Sequence, residues 1–248
     1  MAMRGGTKVQ MYEGAERRRC GATGIVRLLL LALLLACCLP SVLTAQTPSW
    51  RDSLEVLNSQ IRLNPTSTDL RLKKAAVNIE LGQWEYATEE YSRVLEIEPA
   101  HLSALYFRAY AYNYLRRYDL ARNDYEAFLA VMPRHFEAQL GLAMVKRNMG
   151  KHTEAMDDLN QLVQMFPDSA LAFAARAGFE VEQQQYELAL FDWDEAIRLA
   201  PENIDLLLSK ADALLALKRK KEARKVLLQA VGKGASRAAL RDWFVRCK

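Results

Sequence analysis

The stretch Leu81-Gly82-Gln83-Trp84-Glu85-Tyr86-Ala87-Thr88-Glu89-Glu90-Tyr91, continued by Ser92-Arg93-Val94-Leu95-Glu96-Ile97-Glu98-Pro99, decides the fold. Its landmarks recur. Proline stands every 34 residues at Pro65, Pro99, Pro133, Pro167 and Pro201. Alanine keeps the same interval at Ala87, Ala121, Ala155, Ala189 and Ala223, and again at Ala75, Ala109, Ala143, Ala177 and Ala211. Three series in one phase mark a repeat array. Each repeat is then one supersecondary unit that buries its apolar face against its neighbours.

Within a repeat drawn from Thr68 to His101, the alanines fall at positions eight and twenty. A small residue lets a neighbouring helix approach closely. Large residues surround them: Trp84, Tyr118 and Tyr186 at position seventeen, and Tyr91, Tyr125, Leu159, Trp193 and Leu227 at position twenty-four. Gly82 and Gly150 at position fifteen suit the left-handed exit of a helix, and the proline at position thirty-two cannot continue one. Between these signals, Asp69 to Leu81 and Tyr86 to Ile97 carry apolar residues at helical spacing. Each repeat reads as helix, turn, helix. No stretch shows the alternation and turn chemistry of a strand.

These residues together resemble the tetratricopeptide repeat family, and the leader described below adds a resemblance to its exported bacterial members. The resemblance covers roughly Asp52 to Val231. It implies an all-α fold, a right-handed superhelical array of helix-turn-helix repeats. The expected organisation is a signal peptide over 1–45 and a half-repeat helix over 46–67. Five repeats follow over 68–235 (68–101, 102–135, 136–169, 170–203 and 204–235), and a capping helix occupies 236–248. Departures from the pattern are Arg116, Gln184 and Lys218 in place of glycine, His152 and Lys220 in place of the aromatic, and Ala235 in place of the last proline. They are expected to weaken individual turns.

The ends need caps, because an array exposes an apolar face at each. Ser53 to Leu63, with Leu54, Leu57 and Ile61, reads as an amphipathic helix in phase with the second helix of a repeat. After Gly232 and Gly234, Ser236 is placed to cap a last helix from Arg237 to about Val245, whose Leu240, Trp243 and Phe244 would cover the open end. The total is about twelve helices.

The first 45 residues read as a leader. Arg17, Arg18, Arg19 and Arg27 precede the apolar run Leu28 to Leu39, and Thr44-Ala45-Gln46 offers a small residue for cleavage. The uninterrupted apolar run is 12 residues, short of the roughly 20 a spanning helix needs. The alternatives to cleavage are an uncleaved anchor and lipidation at Cys37, since Leu34-Leu35-Ala36-Cys37 partly resembles a bacterial lipobox. Cys20, Cys37 and Cys38 lie in the leader. Cys247 alone remains beyond it and reads as a bystander at a frayed terminus. Removing the leader's six basic and two acidic residues leaves 28 of each. That balance hides an asymmetry: residues 204–248 hold 12 basic and 4 acidic residues, residues 46–203 hold 16 and 24. The cluster Lys218-Arg219-Lys220-Lys221 with Arg224 and Lys225 reads as a solvated turn, with docking of acidic groups as its functional alternative.

The sequence offers no catalytic or metal constellation. The histidines are His101, His135 and His152, and no His-Glu-x-x-His, paired-cysteine, phosphate-loop or nucleophile-elbow spacing occurs. Carboxylates such as Asp157, Asp158, Asp192 and Asp194 read as a wetted helix face. The expectation is therefore no enzyme and no cofactor. Nucleic acid is disfavoured because aromatics do not interleave with the basic cluster. The resemblance implies a concave groove lined by positions two, five, nine, twelve and thirteen of each repeat, taking a protein or peptide partner. Carried onto this chain, the candidate partner-binding residues are Tyr106, Tyr110, Asn113, Met144 and Arg147, with Tyr114 and Asn148 also on that face. Leu72 and Ala76 stand where the family's carboxylate clamp has Lys and Asn, which disfavours a chaperone-tail partner. Expected is an exported scaffold or adaptor in the periplasm or cell envelope, within an assembly or secretion complex. The alternative is a cryptic enzyme or a glycan-binding protein using the tyrosine-rich groove.

Overall fold

A computed structural model describes residues 49–248, and the signal-peptide, Gln46 and Cys37 expectations lie outside the described residues. These residues form twelve α-helices and no strand: α1 Trp50–Leu63, α2 Thr68–Glu80, α3 Trp84–Ile97, α4 Leu102–Tyr114, α5 Tyr118–Val131 and α6 Phe136–Asn148. The series continues with α7 His152–Met165, α8 Ala170–Glu182, α9 Tyr186–Leu199, α10 Ile204–Ala216, α11 Lys220–Gly232 and α12 Arg241–Arg246. Each helix packs on the next in chain order, which is the arrangement of an α–α superhelical array. None of the described helices is long and apolar enough to cross a membrane.

The even-numbered helices α2 to α10 all begin and end by the same local chemistry. Ser67, His101, His135, Ser169 and Asn203 cap them by accepting a first-turn backbone N–H on a side-chain atom. His101 and His135 do so through Nδ1, at 3.3 and 3.2 Å from the N–H of Ala104 and Ala138. At the other end, two crossed backbone bonds close each helix. In α2, Gln83 N–H reaches Asn78 C=O at 2.8 Å and Gly82 N–H reaches Ile79 C=O at 2.9 Å. The residue between must be left-handed. Gly82 and Gly150 have φ of +68° and +77°, and Arg116, Gln184 and Lys218 adopt the same region at +57°, +60° and +60°. The crossed bonds form at these three turns as well, so the missing glycine leaves strain in the residue and keeps the turn.

Both alanine series are fully buried, and Tyr91, Tyr125, Leu159, Trp193 and Leu227 fill the space beside them. Gly141 serves the same close packing: a Cβ there would lie 2.6 Å from Cζ of Tyr125. Two apolar clusters result. One runs from Ala75 to Val145, the other from Ala143 to Cys247, and they meet at α6.

A ladder of ion pairs runs through the stack. A cation at position seven grips a carboxylate at position twenty-three of its own repeat. Lys74 pairs with Glu90 at 2.8 Å, Arg108 with Asp124 at 2.7 Å and Arg176 with Asp192 at 2.6 Å. Arg108 and Arg176 also reach back to position twenty-five of the preceding repeat, donating to Ser92 and Asn160 at 3.0 Å. Lys210, whose own repeat has Val226 at position twenty-three, pairs with Asp194 of the preceding repeat. Repeat three has Leu142 at position seven, and its Asp158 is held from Lys146 at 2.7 Å instead. The expectation of a wetted carboxylate face is thus corrected for Asp158 and Asp192. Asp192 is 1% exposed, because a bidentate guanidinium compensates its desolvation.

The ends differ from expectation in detail. The first helix starts at Trp50, 34 residues before Trp84, because Ser49 and Asp52 form a capping box. At the other end Leu240 is buried and Trp243 and Phe244 pack on the second cluster. The helix itself begins only at Arg241, since residues 237–240 make a turn in which Ser236 Oγ accepts the N–H of Ala239 at 3.4 Å. Cys247 is buried in the same cluster rather than frayed.

Candidate functional site

Successive first helices of the repeats stand side by side, and polar side chains join them across one face. Asn148 Nδ2 donates to Oδ1 of Asn113 at 3.2 Å. Arg147 donates to Glu182 at 3.2 Å and to Asn148 Oδ1 at 3.4 Å. In the Asn113–Asn148 and Arg147–Glu182 links a position-twelve side chain meets position thirteen of the following repeat. Asn113, Asn148, Arg147 and Glu182 therefore form one polar seam across α4, α6 and α8. At the far end Asp212 accepts from Trp243 Nε1 and from Arg246, each at 2.9 Å, which fixes the last helix to α10.

An aromatic group adjoins this seam at the junction of the first and second repeats. Trp84, the first residue of α3, stacks on Tyr114 with ring centroids 4.0 Å apart and planes 13° apart. Tyr110 meets Trp84 edge-on at 5.9 Å and Tyr114 at 5.4 Å. Tyr110 and Tyr114 remain 36% and 56% exposed. Burial pushes the Tyr110 hydroxyl up to about 12, with smaller contributions from Tyr114, Tyr106 and the Glu80 carboxylate. Tyr110 therefore stays neutral at ordinary pH, and both rings offer stacking surfaces with a polar tip.

The five residues singled out from the sequence divide into two groups. Asn113 and Arg147 share the seam, and Tyr110 belongs to the exposed aromatic group. Tyr106 and Met144 are half-buried and serve packing. The Tyr106 ring lies against Tyr125, Phe128 and His135, 5.5–5.9 Å between centroids, and Met144 packs on the second cluster. Sequence reasoning placed Tyr114 on this face but outside the five candidates, and it singled out neither Trp84 nor Glu182 there. The signal for them was positional: Trp84 starts a second helix, and Tyr114 and Glu182 share position thirteen. Tyr112 and Tyr118 pack on the first cluster, as expected of core tyrosines. Among the described residues no group of three or more His, Cys, Asp or Glu is placed to hold a metal ion. The histidine rings at 101 and 135 are occupied as helix caps.

Comparison with known proteins places this geometry. A family model described as tetratricopeptide repeat matches residues 113–170 and 180–238. No curated protein matches the chain significantly. Among solved structures, a tetratricopeptide repeat protein from Parabacteroides merdae ATCC 43184 is similar at 22% identity and a TM-score of 0.61, over 80% of this chain and 77% of that one. MamA from Desulfovibrio magneticus RS-1 is similar at 18% identity and 0.57, over 73% and 95%. YrrB, described as a TPR protein with an unusual peptide-binding site, is similar at 16% identity and 0.55, over 75% and 95%. At these identities the likenesses speak for the fold. Joined to the matched repeats, the buried alanine series and the helix-turn-helix order, they lead to one conclusion: the chain belongs to the tetratricopeptide repeat family.

Proposed function

We propose that this protein is an exported scaffold or adaptor that holds a protein or peptide partner on the face carrying the polar seam, within an assembly or secretion complex of a bacterial envelope. The observation that carries the binding reading is the pair of exposed rings Tyr110 and Tyr114, backed by half-buried Trp84, beside the Asn113–Asn148–Arg147–Glu182 seam. Aromatic and arginine side chains on a rigid helical face are the types that anchor interfaces, and protein or peptide binding is the usual work of this fold. Export rests on the leader: a basic start, a short apolar run and Ala45 before Gln46. A scaffold without enzymatic activity fits the absence of any catalytic spacing in the sequence.

The test is capture of partners from envelope extracts by cross-linking to the full-length protein, repeated with the Tyr110→Ala, Arg147→Ala double variant. A partner lost from a folded double variant supports the reading. A partner retained at wild-type yield moves the binding face elsewhere, with the basic turn around Arg219 next in line. Intact mass of the native protein tests export separately: a start at Gln46 is expected, and an intact Met1 or a lipid on Cys37 overturns cleavage.

A further inference from the structure

The three rings at the first repeat junction are closed against one another, so nothing inserts between Trp84 and Tyr114 at 4.0 Å. A ligand meets their outer faces, and those faces are the negative part of an aromatic quadrupole. Carboxylates add to that sign. Glu80 stands at position thirteen of repeat one, in register with Tyr114, and its charge is felt at the Tyr110 hydroxyl. Glu137 acts in the same way on Tyr106 from the other side. Glu80 is exposed and takes part in no ion pair among the described residues.

The cations at the groove positions and in the stack beneath them are engaged elsewhere. Across positions two, five, nine, twelve and thirteen of the first three repeats, Arg147 is the one basic residue, and it is bonded to Glu182 and Asn148. Lys74 and Arg108 are turned into the stack on Glu90 and Asp124. The groove positions of this junction are thus aromatic and negative, and the exposed cations Lys73, Arg116 and Arg117 lie outside those positions. That combination discriminates between side chains: a guanidinium or ammonium head gains on both counts, a carboxylate loses on both.

We propose that the Trp84–Tyr110–Tyr114 cluster with Glu80 is a cation-recognition site, taking an arginine or lysine side chain from an extended peptide segment of the partner. This rests on the groove reading above and names the chemistry of what binds there. The charged head lies over the Tyr110 and Tyr114 faces, and its N–H groups donate to the Glu80 carboxylate.

The experiment is an NMR titration of the isotope-labelled full chain, reading the Trp84 indole N–H. Its signal is assigned by comparison with Trp84→Phe. Three blocked pentapeptides serve as probes: acetyl-Gly-Ala-Arg-Ala-Gly-amide and its glutamine and glutamate counterparts. The arginine peptide is expected to shift the Trp84 signal saturably and to bind about fivefold or more tighter than the glutamine peptide at low salt, with the glutamate peptide weakest. Tyr114→Ala and the isosteric Glu80→Gln should each weaken the arginine peptide by roughly two- to fivefold and leave the remaining spectrum native. Equal binding of the arginine and glutamine peptides overturns the cation preference, while partner capture through Tyr110 and Arg147 would still stand. Shifts confined to other parts of the chain, or an arginine affinity indifferent to both variants, overturn the site itself.

Discussion

Replacing Arg176 with methionine tests the energetics of the stack most directly. Arg176 donates to Asp192 through Nε at 2.6 Å and through a terminal nitrogen at 2.7 Å, and to Asn160 at 3.0 Å. Asp192 is 1% exposed, and Glu180, buried on the same helix as Arg176, is a second carboxyl nearby that burial and the Asp192 charge push up to about 7. Methionine keeps the stem's packing and removes the only cation facing these two carboxylates in the described ion pairs. Stranding one partner of a buried pair costs about 3–5 kcal/mol. In a body of some 200 residues each kcal/mol moves the melting temperature by about 2–4 °C, so a fall of roughly 6–20 °C is expected. The double variant Arg176→Met, Asp192→Leu should recover most of it, since an apolar pair of similar volume is often neutral in such a site. Thermal melts and urea unfolding of the four corners of the cycle give the coupling. Hydrogen exchange should also show α7 and α9 opening together in the single variant, because Asn160 and Asp192 share the guanidinium. A loss under about 1 kcal/mol for Arg176→Met, or a double variant no better than the single, would refute the view that the guanidinium compensates a buried charge.

Three further outcomes are expected. Ala121→Leu and Gly141→Ala should each destabilise by about 1–3 kcal/mol through overpacking, the second because a Cβ would meet the Tyr125 ring at 2.6 Å, whereas Asn113→Ala should stay within about 1 kcal/mol. Arg116→Gly, Gln184→Gly and Lys218→Gly should each raise stability by roughly 0.5–1 kcal/mol, since each non-glycine residue sits at positive φ; unchanged or lower melting temperatures would count against strain there. Glu180 is pushed up to about 7 by burial and by the Asp192 charge. Its folded value exceeds its unfolded one, so the folded state binds the extra proton, and stability should fall as pH rises from about 4.5 to 7. Glu180→Gln should flatten that segment of a stability–pH profile, and an unaltered slope would contradict the assignment.

The fold was legible because its determinants are periodic. Fully buried alanines at two phases can only mean helices in close approach, and a 34-residue spacing leaves one arrangement for them. Charge was harder to read. Asp192 and Asp194 are two residues apart with the same side chain, yet one is sealed inside and the other is half of an exposed cross-repeat pair. Each has a cation sixteen residues away, Arg176 within the repeat for Asp192 and Lys210 in the next repeat for Asp194. Which of the two pairs is sealed inside is a relation that helical periodicity does not contain. The functional face was legible in part for a similar reason. Position twelve identified Asn113 and Arg147, but a tyrosine at position five turned inward onto Phe128 and His135. The ring at position thirteen became prominent only because Trp84 comes forward to stack on it. His101 and His135 had no legible role until their Nδ1 atoms were seen closing helix starts.

The ladder of internal ion pairs skips one rung, at Leu142. Charged rungs tie repeat one to two, three to four and four to five through Ser92, Asn160 and Asp194, while repeat two meets three without one. The joints of the array are therefore unequal in kind. That joint is held by the Asn148–Asn113 bond and by Arg134 donating to the Met165 carbonyl, each at 3.2 Å. Among the described residues it carries no internal ion pair for acid or salt to weaken, so the spacing of the second and third repeats beside Tyr110 should hold where the charged joints loosen.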